Sequence, residues 1–303
     1  MTSHSGIEMR RPPGSGPVGP SLSAPAGSRT MEPGTDASAT AGAAAASHNA
    51  GAGRWSRSEA RALCRLGAER LTGRLASLGL TVAIETDFRA LTRLLREAGQ
   101  FVYPAFDPAR STPGAEAFWL RVRDGAGRTV ACHADRLFPR DRLERLVAEG
   151  RLWFDTPPPA DPRTEILALP EEVAGRLGHS GSLWVAPDRR GEGLSVYLPY
   201  LSRCLVALRS DPDYFTGLVF ADLAGSPVPK QGYGYPRVVP VLRGPFPPTG
   251  RPAEVHACWI SGDESLDALV ALADHPRFAV AIPRPAAGRH AIIGKPPSAP
   301  SSR

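Results

Sequence analysis

This chain of 303 residues is almost without lysine, since Lys230 and Lys295 are the only two among its 36 basic residues. Neither follows a glycine-rich loop that opens a helix, which excludes a phosphate loop of the Gly-x-x-x-x-Gly-Lys-Ser/Thr type. Cysteine is scarce as well. Cys64, Cys132, Cys204 and Cys258 are widely spaced and form no Cys-x-x-Cys pair. That pattern argues against a metal site or a disulfide framework and for reduced, buried thiols. No run approaches the ~18 apolar residues that a membrane span needs, so no membrane partner is expected. The alanine run at 43–46 is too short and too weakly apolar for a signal-peptide core, and the expected compartment is the cytoplasm.

Large apolar residues are nearly missing from 1–53, which consists mainly of Gly, Ala, Ser, Pro and Thr. Such a segment cannot bury enough surface to offset chain entropy. Residues 1–53 and 295–303 are therefore expected to be disordered tails around one domain, 54–294, long enough for a sizeable core. The net charge is +6, and the first 54 residues hold four arginines against three acids, so the basic excess lies in the body. There the arginines are scattered and interleaved with acids rather than clustered with aromatics, which argues against nucleic acid as a partner.

Ser56-Arg57-Ser58-Glu59 is a capping-box pattern, and Leu63, Gly67, Leu71, Leu75 and Leu78 follow it at helical spacing up to Gly79. Residues 81–86 read as a strand. Asp87 caps a second helix, with Phe88, Leu91, Leu94 and Leu95 on one face and Gly99 at its end. Residues 118–123 and 128–133 read as two strands joined by Asp124-Gly125-Ala126-Gly127, a hairpin with its turn residues in place. About 45 residues then precede Leu183, long for a connection inside a compact domain. They are read as an insertion, 139–180, with a helix near 140–149, an extended Leu152-Trp153-Phe154, a proline cluster at 157–159 and a short helix opened by Pro170-Glu171-Glu172. Later elements are a helix with Leu198, Leu201, Leu205 and Leu208 on one face, and a buried strand at 218–221. A strand pair at 238–242 and 254–260 and a closing helix at 265–273 complete the chain.

The most informative stretch runs from Leu183 to Ser195: an apolar strand, a turn rich in Arg and Gly, and the start of a helix. Closely spaced glycines let the backbone approach an anion and aim N–H groups at it, and the helix end adds partial positive charge. A dinucleotide fingerprint does not fit, because Gly191 and Gly193 are followed by Val196 where a third glycine is required.

The spacing resembles the acyl-CoA pyrophosphate loop of the GNAT superfamily of N-acetyltransferases, Arg/Gln-x-x-Gly-x-Gly/Ala. Arg190, Gly193 and Ser195 stand at its three marked positions, and Ser195 departs from the expected Gly or Ala. The resemblance implies an α/β fold with a mixed, mostly antiparallel central sheet flanked by helices, the insertion lying before the CoA-binding strand. It implies acetyl-CoA or another acyl-CoA as co-substrate, held by Val185, Arg189, Arg190, Gly191, Glu192, Gly193, Leu194 and Ser195. It also implies acyl transfer to an amine acceptor, small molecule or protein, by direct attack, with the CoA pantetheine arm entering where the 218–221 strand splays from its predecessor.

Direct attack needs no covalent nucleophile, only a base for the amine and an acid for the departing thiolate. Tyr233 and Tyr235 are the candidate acids, in a segment where Pro227, Pro229 and Pro236 argue against a regular helix. The candidate bases are His133 on the hairpin, and Glu254 and His256, which share one strand face. The alternative reading is a catalytically degenerate CoA-binding or interaction module. The oligomeric state is left open.

Overall fold

Ser56 opens the first helix of a computed structural model that describes residues 54–167 and 172–273. Its hydroxyl accepts from the Glu59 N–H at 3.3 Å, and the Glu59 carboxylate accepts from the Ser56 N–H at 2.9 Å, the expected capping box. The helix, α1 (Arg57–Ser77), buries Leu63, Leu71 and Leu75. After it come β1 (Thr81–Glu85), α2 (Phe88–Glu97), β2 (Phe118–Arg123), β3 (Thr129–Arg142) and α3 (Leu143–Ala148). The chain continues through β4 (Glu165–Ile166), β5 (Ala174–Val185), α4 (Leu194–Ser210), β6 (Tyr214–Phe220) and α5 (Ala221–Ala224). It ends in β7 (Arg237–Phe246), β8 (Arg251–Ser261) and α6 (Gly262–Ala273). The expected tails, and Pro170-Glu171 of the expected short helix, lie outside the described residues.

The strands form one eight-stranded sheet in the order β1-β2-β3-β5-β6-β8-β7-β4. Every pairing is antiparallel except β5 with β6, which are joined through α4 as a parallel pair needs. This is the mixed, mostly antiparallel sheet flanked by helices that the loop's resemblance implied. Period-2 alternation sends the side chains of one strand to two different cores. On β2, Phe118, Leu120 and Val122 pack with α1, α4 and α6, whereas Trp119 packs with α2 on the opposite face. That second face is also covered by α3 and by Leu152, Trp153 and Phe154, which pack with Phe246 and Trp259.

Several elements differ from expectation. The hairpin strand β3 runs on to Arg142 and β5 starts at Ala174, so only 143–173 of the expected 139–180 insertion lies outside the long strands. Leu152-Trp153-Phe154 is a turn and not an extended segment, because the N–H groups of Trp153 and Phe154 both return to the Gly150 carbonyl at 3.1 Å. Its bulky residues are buried by the sheet face rather than paired in it. Pro199 is the sixth residue of α4 and leaves the Ser195 carbonyl without the helical N–H it would receive. All four cysteines are buried and none forms a disulfide.

Candidate functional site

The β5–α4 connection turns the chain through two residues only glycine adopts readily. Gly191 has φ +89° and Gly193 φ +83°, the left-handed region. A Cβ on Gly193 would also lie 3.0 Å from the Tyr197 ring. Gly193 is the N-cap of α4, and because it has no side chain, no side-chain cap closes the helix end. The backbone N–H groups from Gly191 to Ser195 therefore find no acceptor among the described residues. Five free donors at the N-terminus of a 17-residue helix favour an anion, through both hydrogen bonding and the helix dipole.

Charged neighbours hold this loop in place. Arg128, from the hairpin turn, donates to Asp188 at 2.5 Å and to Asp124 at 3.1 Å, fastening the loop to the β2–β3 turn. Arg189 donates to Glu192 Oε1 at 3.2 Å, while Glu192 Oε2 is buried without a partner. Arg190 is exposed and Val185 is half-buried at the end of its strand. The eight residues expected to hold an anion are thus one continuous strand end, turn and helix start. Their charged members serve different purposes, with Arg189 neutralising Glu192 and Arg190 turned to solvent.

Beside the loop the sheet opens. The parallel pair β5–β6 is in register only from Leu177↔Tyr214 to Ser180↔Gly217. Beyond that point β5 follows β3 and β6 follows β8, so the two strands part. Ser182, at φ +52°, sits in a bulge where the β3–β5 register shifts between Cys132 and Ala134. The gap is a cavity of about 200 Å³ lined by His133, Ser182, Leu183, Pro199, Gly217 and Tyr233, among others. Leu183 leads directly into the donor loop and Pro199 lies one turn past it, so cleft and loop belong to one surface.

Two side chains in this cleft have buried polar atoms that make no hydrogen bond. Neither ring nitrogen of His133 makes a hydrogen bond, nor does the Ser182 hydroxyl. Burial holds the His133 pKa below the usual histidine value, with the Asp135 carboxylate 3.8 Å away opposing and Arg203 adding to the shift. Its ring is thus kept neutral, as a proton acceptor must be. Asp135 is itself satisfied, accepting from Ser180 Oγ at 2.7 Å and from Ser202 Oγ. Arg203, also buried, donates to the Tyr233 carbonyl at 2.5 Å and stacks on the rings of Tyr200 and Tyr235, 4.5 and 5.2 Å from their centroids.

Arg203 thereby fixes the segment that carries both candidate acids. As the prolines suggested, that segment is no regular helix. A five-residue wide turn, 228–232, precedes the tyrosines. Both tyrosines line the cleft. Tyr235 spends its hydroxyl proton on the Thr216 carbonyl at 3.2 Å, and burial pushes its pKa up to about 12. Tyr233 is also raised, by burial and by Cys258, and its hydroxyl bonds no described residue. Glu254 and His256 lie elsewhere. They pair with each other at 3.0 Å, Glu254 takes Arg243 at 3.1 Å, and neither lines the cleft.

The sequence pointed to the loop, the two tyrosines and His133, but not to Ser182, Asp135 or Arg203. Asp135 had a readable signal, since His-x-Asp on one strand places both side chains on the same face. Ser182 had none, because the bulge that exposes it depends on the partner strand.

No protein-family profile and no curated protein matches the chain. Solved structures do. A spermidine N-acetyltransferase from Vibrio cholerae, in a dodecameric structure, aligns over 62% of this chain and 97% of its own, at 11% identity and a TM-score of 0.39. NAA60 of Arabidopsis thaliana in complex with acetyl-CoA aligns over 60% and 99%, also at 11% identity and 0.39. A chimera of the Vibrio cholerae and human spermidine enzymes gives 62% and 99%, 12% and 0.36. At these values the site stands on its own geometry. Among the described residues no helix is long and apolar enough to cross a membrane, and no cluster of side chains could hold a metal ion.

Proposed function

We propose that the chain is an acyl-CoA-dependent N-acyltransferase that moves an acyl group, acetyl in the simplest case, to an amine by direct attack. The observation that carries this reading is the parting of β5 from β6 next to five unpaired N–H donors. A pyrophosphate fits the donors. A pantetheine arm, with its two amides, fits a gap whose facing strand edges no longer bond each other. Arg190 adds charge beside the donor loop, and Ser195 offers a hydroxyl where a smaller residue was expected.

The thioester would lie beside His133, Ser182 and Tyr233. His133, neutral and without a hydrogen bond, takes the ammonium proton and releases it to solvent, then takes the second proton as the nitrogen attacks. A C–N bond forms as the C–S bond breaks. Tyr233 gives its proton to the departing thiolate, and solvent restores both side chains. Overall, an ammonium and an acyl thioester give an amide, a free thiol and one proton. Tyr235, with its proton committed to Thr216, positions Tyr233 instead.

The test is release of free CoA thiol from acetyl-CoA in the presence of primary amines, together with calorimetric binding of acetyl-CoA. Amine-dependent thiol release supports the proposal. Thermal stabilisation by CoA without turnover would support the binding-module reading, which the Ser195 departure keeps open. No binding at all would refute both.

A further inference from the structure

The cleft opens to solvent past three phenylalanines. Phe101, from the segment after α2, lies 6.5 Å from Phe220 at the end of β6 and 6.3 Å from Phe246 on β7, between ring centroids. Phe220 and Phe246 meet edge to face at 5.5 Å, and Trp153 backs Phe246 from below at 5.5 Å, also edge to face. Trp153 belongs to the 143–173 excursion, which therefore builds the floor of this mouth without lining it. Four large apolar side chains are exposed among the described residues, and two of them are Phe101 at 45% and Phe220 at 42%. An aromatic pair left in water at the entrance to a buried cleft is unusual unless something covers it.

The cleft also lacks charge. No Asp, Glu, Lys or Arg among the described residues lines it. The carboxylate beside His133, that of Asp135, is buried and already accepts from two serines. One amine nitrogen is served there, because it loses its charge to His133. A second ammonium would leave water with no partner, which costs several-fold more than burying an apolar group gains. Aromatic rings, by contrast, gain from edge-to-face contact with phenylalanines held at fixed angles.

Resting on the acyltransferase reading, we infer that the acceptor is an aromatic primary monoamine, its ring seated among Phe101, Phe220 and Phe246 and its nitrogen directed at His133. A polyamine or a cationic peptide is disfavoured by the same surface. The exposure of Phe101 and Phe220 assigns the trio to the acceptor, which enters from solvent, and not to a longer acyl chain, which would arrive already buried beside the thioester.

Thiol release from acetyl-CoA should be measured with 2-phenylethylamine and with spermidine, on the parent and on Phe101→Ala, alongside calorimetric binding of acetyl-CoA. Phe101 is exposed, so its loss should not disturb folding. The parent should favour 2-phenylethylamine by about 100-fold in kcat/KM. Phe101→Ala should raise the KM for that amine about tenfold and leave the acetyl-CoA Kd in place. Preference for spermidine would overturn the inference. So would a Phe101→Ala effect on acetyl-CoA binding or on the preference between acetyl-CoA and octanoyl-CoA. Turnover of neither amine by a chain that binds acetyl-CoA overturns it too, whereas failure of the parent to bind acetyl-CoA defeats the underlying reading itself.

Discussion

Acidification should unfold this protein through His179, a residue outside the proposed chemistry. The ring is fully buried on β5, with Tyr103 Oη 3.0 Å from Nε2 and Thr216 Oγ1 2.9 Å from Nδ1. Thr216 donates its own proton toward the Gly178 carbonyl, so it accepts from Nδ1–H, and Tyr103 donates to Nε2. That arrangement suits the neutral ring alone. Burial, with Arg136 adding repulsion, lowers the His179 pKa from the ordinary value to about 3. An unfolded histidine takes up a proton near pH ~6.5, so between that pH and the native value the unfolded state binds a proton the native state refuses. Stability is therefore complete above ~6.5 and falls as pH falls through this window, by about 2 kcal/mol at pH 5 and about 4 kcal/mol at pH 3. The assay is guanidinium unfolding of the parent and of His179→Gln at pH 7 and pH 5, followed by fluorescence of buried Trp119 and Trp153. His179→Gln should be less stable at pH 7, having lost packing, yet should lose about 2 kcal/mol less than the parent on going to pH 5. Equal losses in the two proteins would refute the reasoning.

His133→Gln should reduce turnover about 100-fold or more while acetyl-CoA still binds, read as thiol release against calorimetry. Because burial holds His133 below the usual histidine pKa, the acid limb of the parent's kcat/KM profile should fall below pH ~6.5, and a limb at or above that value would count against its role. Tyr233→Phe should lower kcat with little change in stability. Tyr235→Phe should instead cost about 1 kcal/mol of stability, measured by denaturant unfolding, through the lost bond to Thr216. Reversal of those two outcomes would exchange the assignments. Arg203→Met should destabilise the fold by about 2 kcal/mol, because the rings of Tyr200 and Tyr235 lose their stacked cation and the carbonyl of Tyr233 its donor.

What the sequence made legible follows from the range of the interactions involved. The donor loop was readable because its causes are local. Two glycines forced to positive φ, a helix start without a capping side chain and a neighbouring arginine all fall within six residues. The capping box at Ser56 and the hairpin turn at Asp124 were readable for the same reason. The cleft was not, because it exists only where β5 and β6 stop pairing, a relation between residues about 37 apart in register. The first half of β5 was hidden as well. Gly178, His179 and Ser180 carry no apolar signal, yet they are buried between strands on both sides. Glu254 and His256 show the opposite failure. Their two-residue spacing correctly places them on one strand face and together, but nothing local says that this face turns away from the cleft. Phe101, in an irregular segment, becomes meaningful only beside Phe220 and Phe246.

Calorimetric titration of acetyl-CoA into the parent and into Gly193→Asp tests the central claim most directly. The added side chain would meet the Tyr197 ring, strain a φ of +83° and set a carboxylate among the N–H donors. The parent should bind, and the variant, with an unchanged melting profile, should bind at least about tenfold more weakly. Equal affinity in a folded variant, or no binding by the parent, would contradict the assignment of this loop.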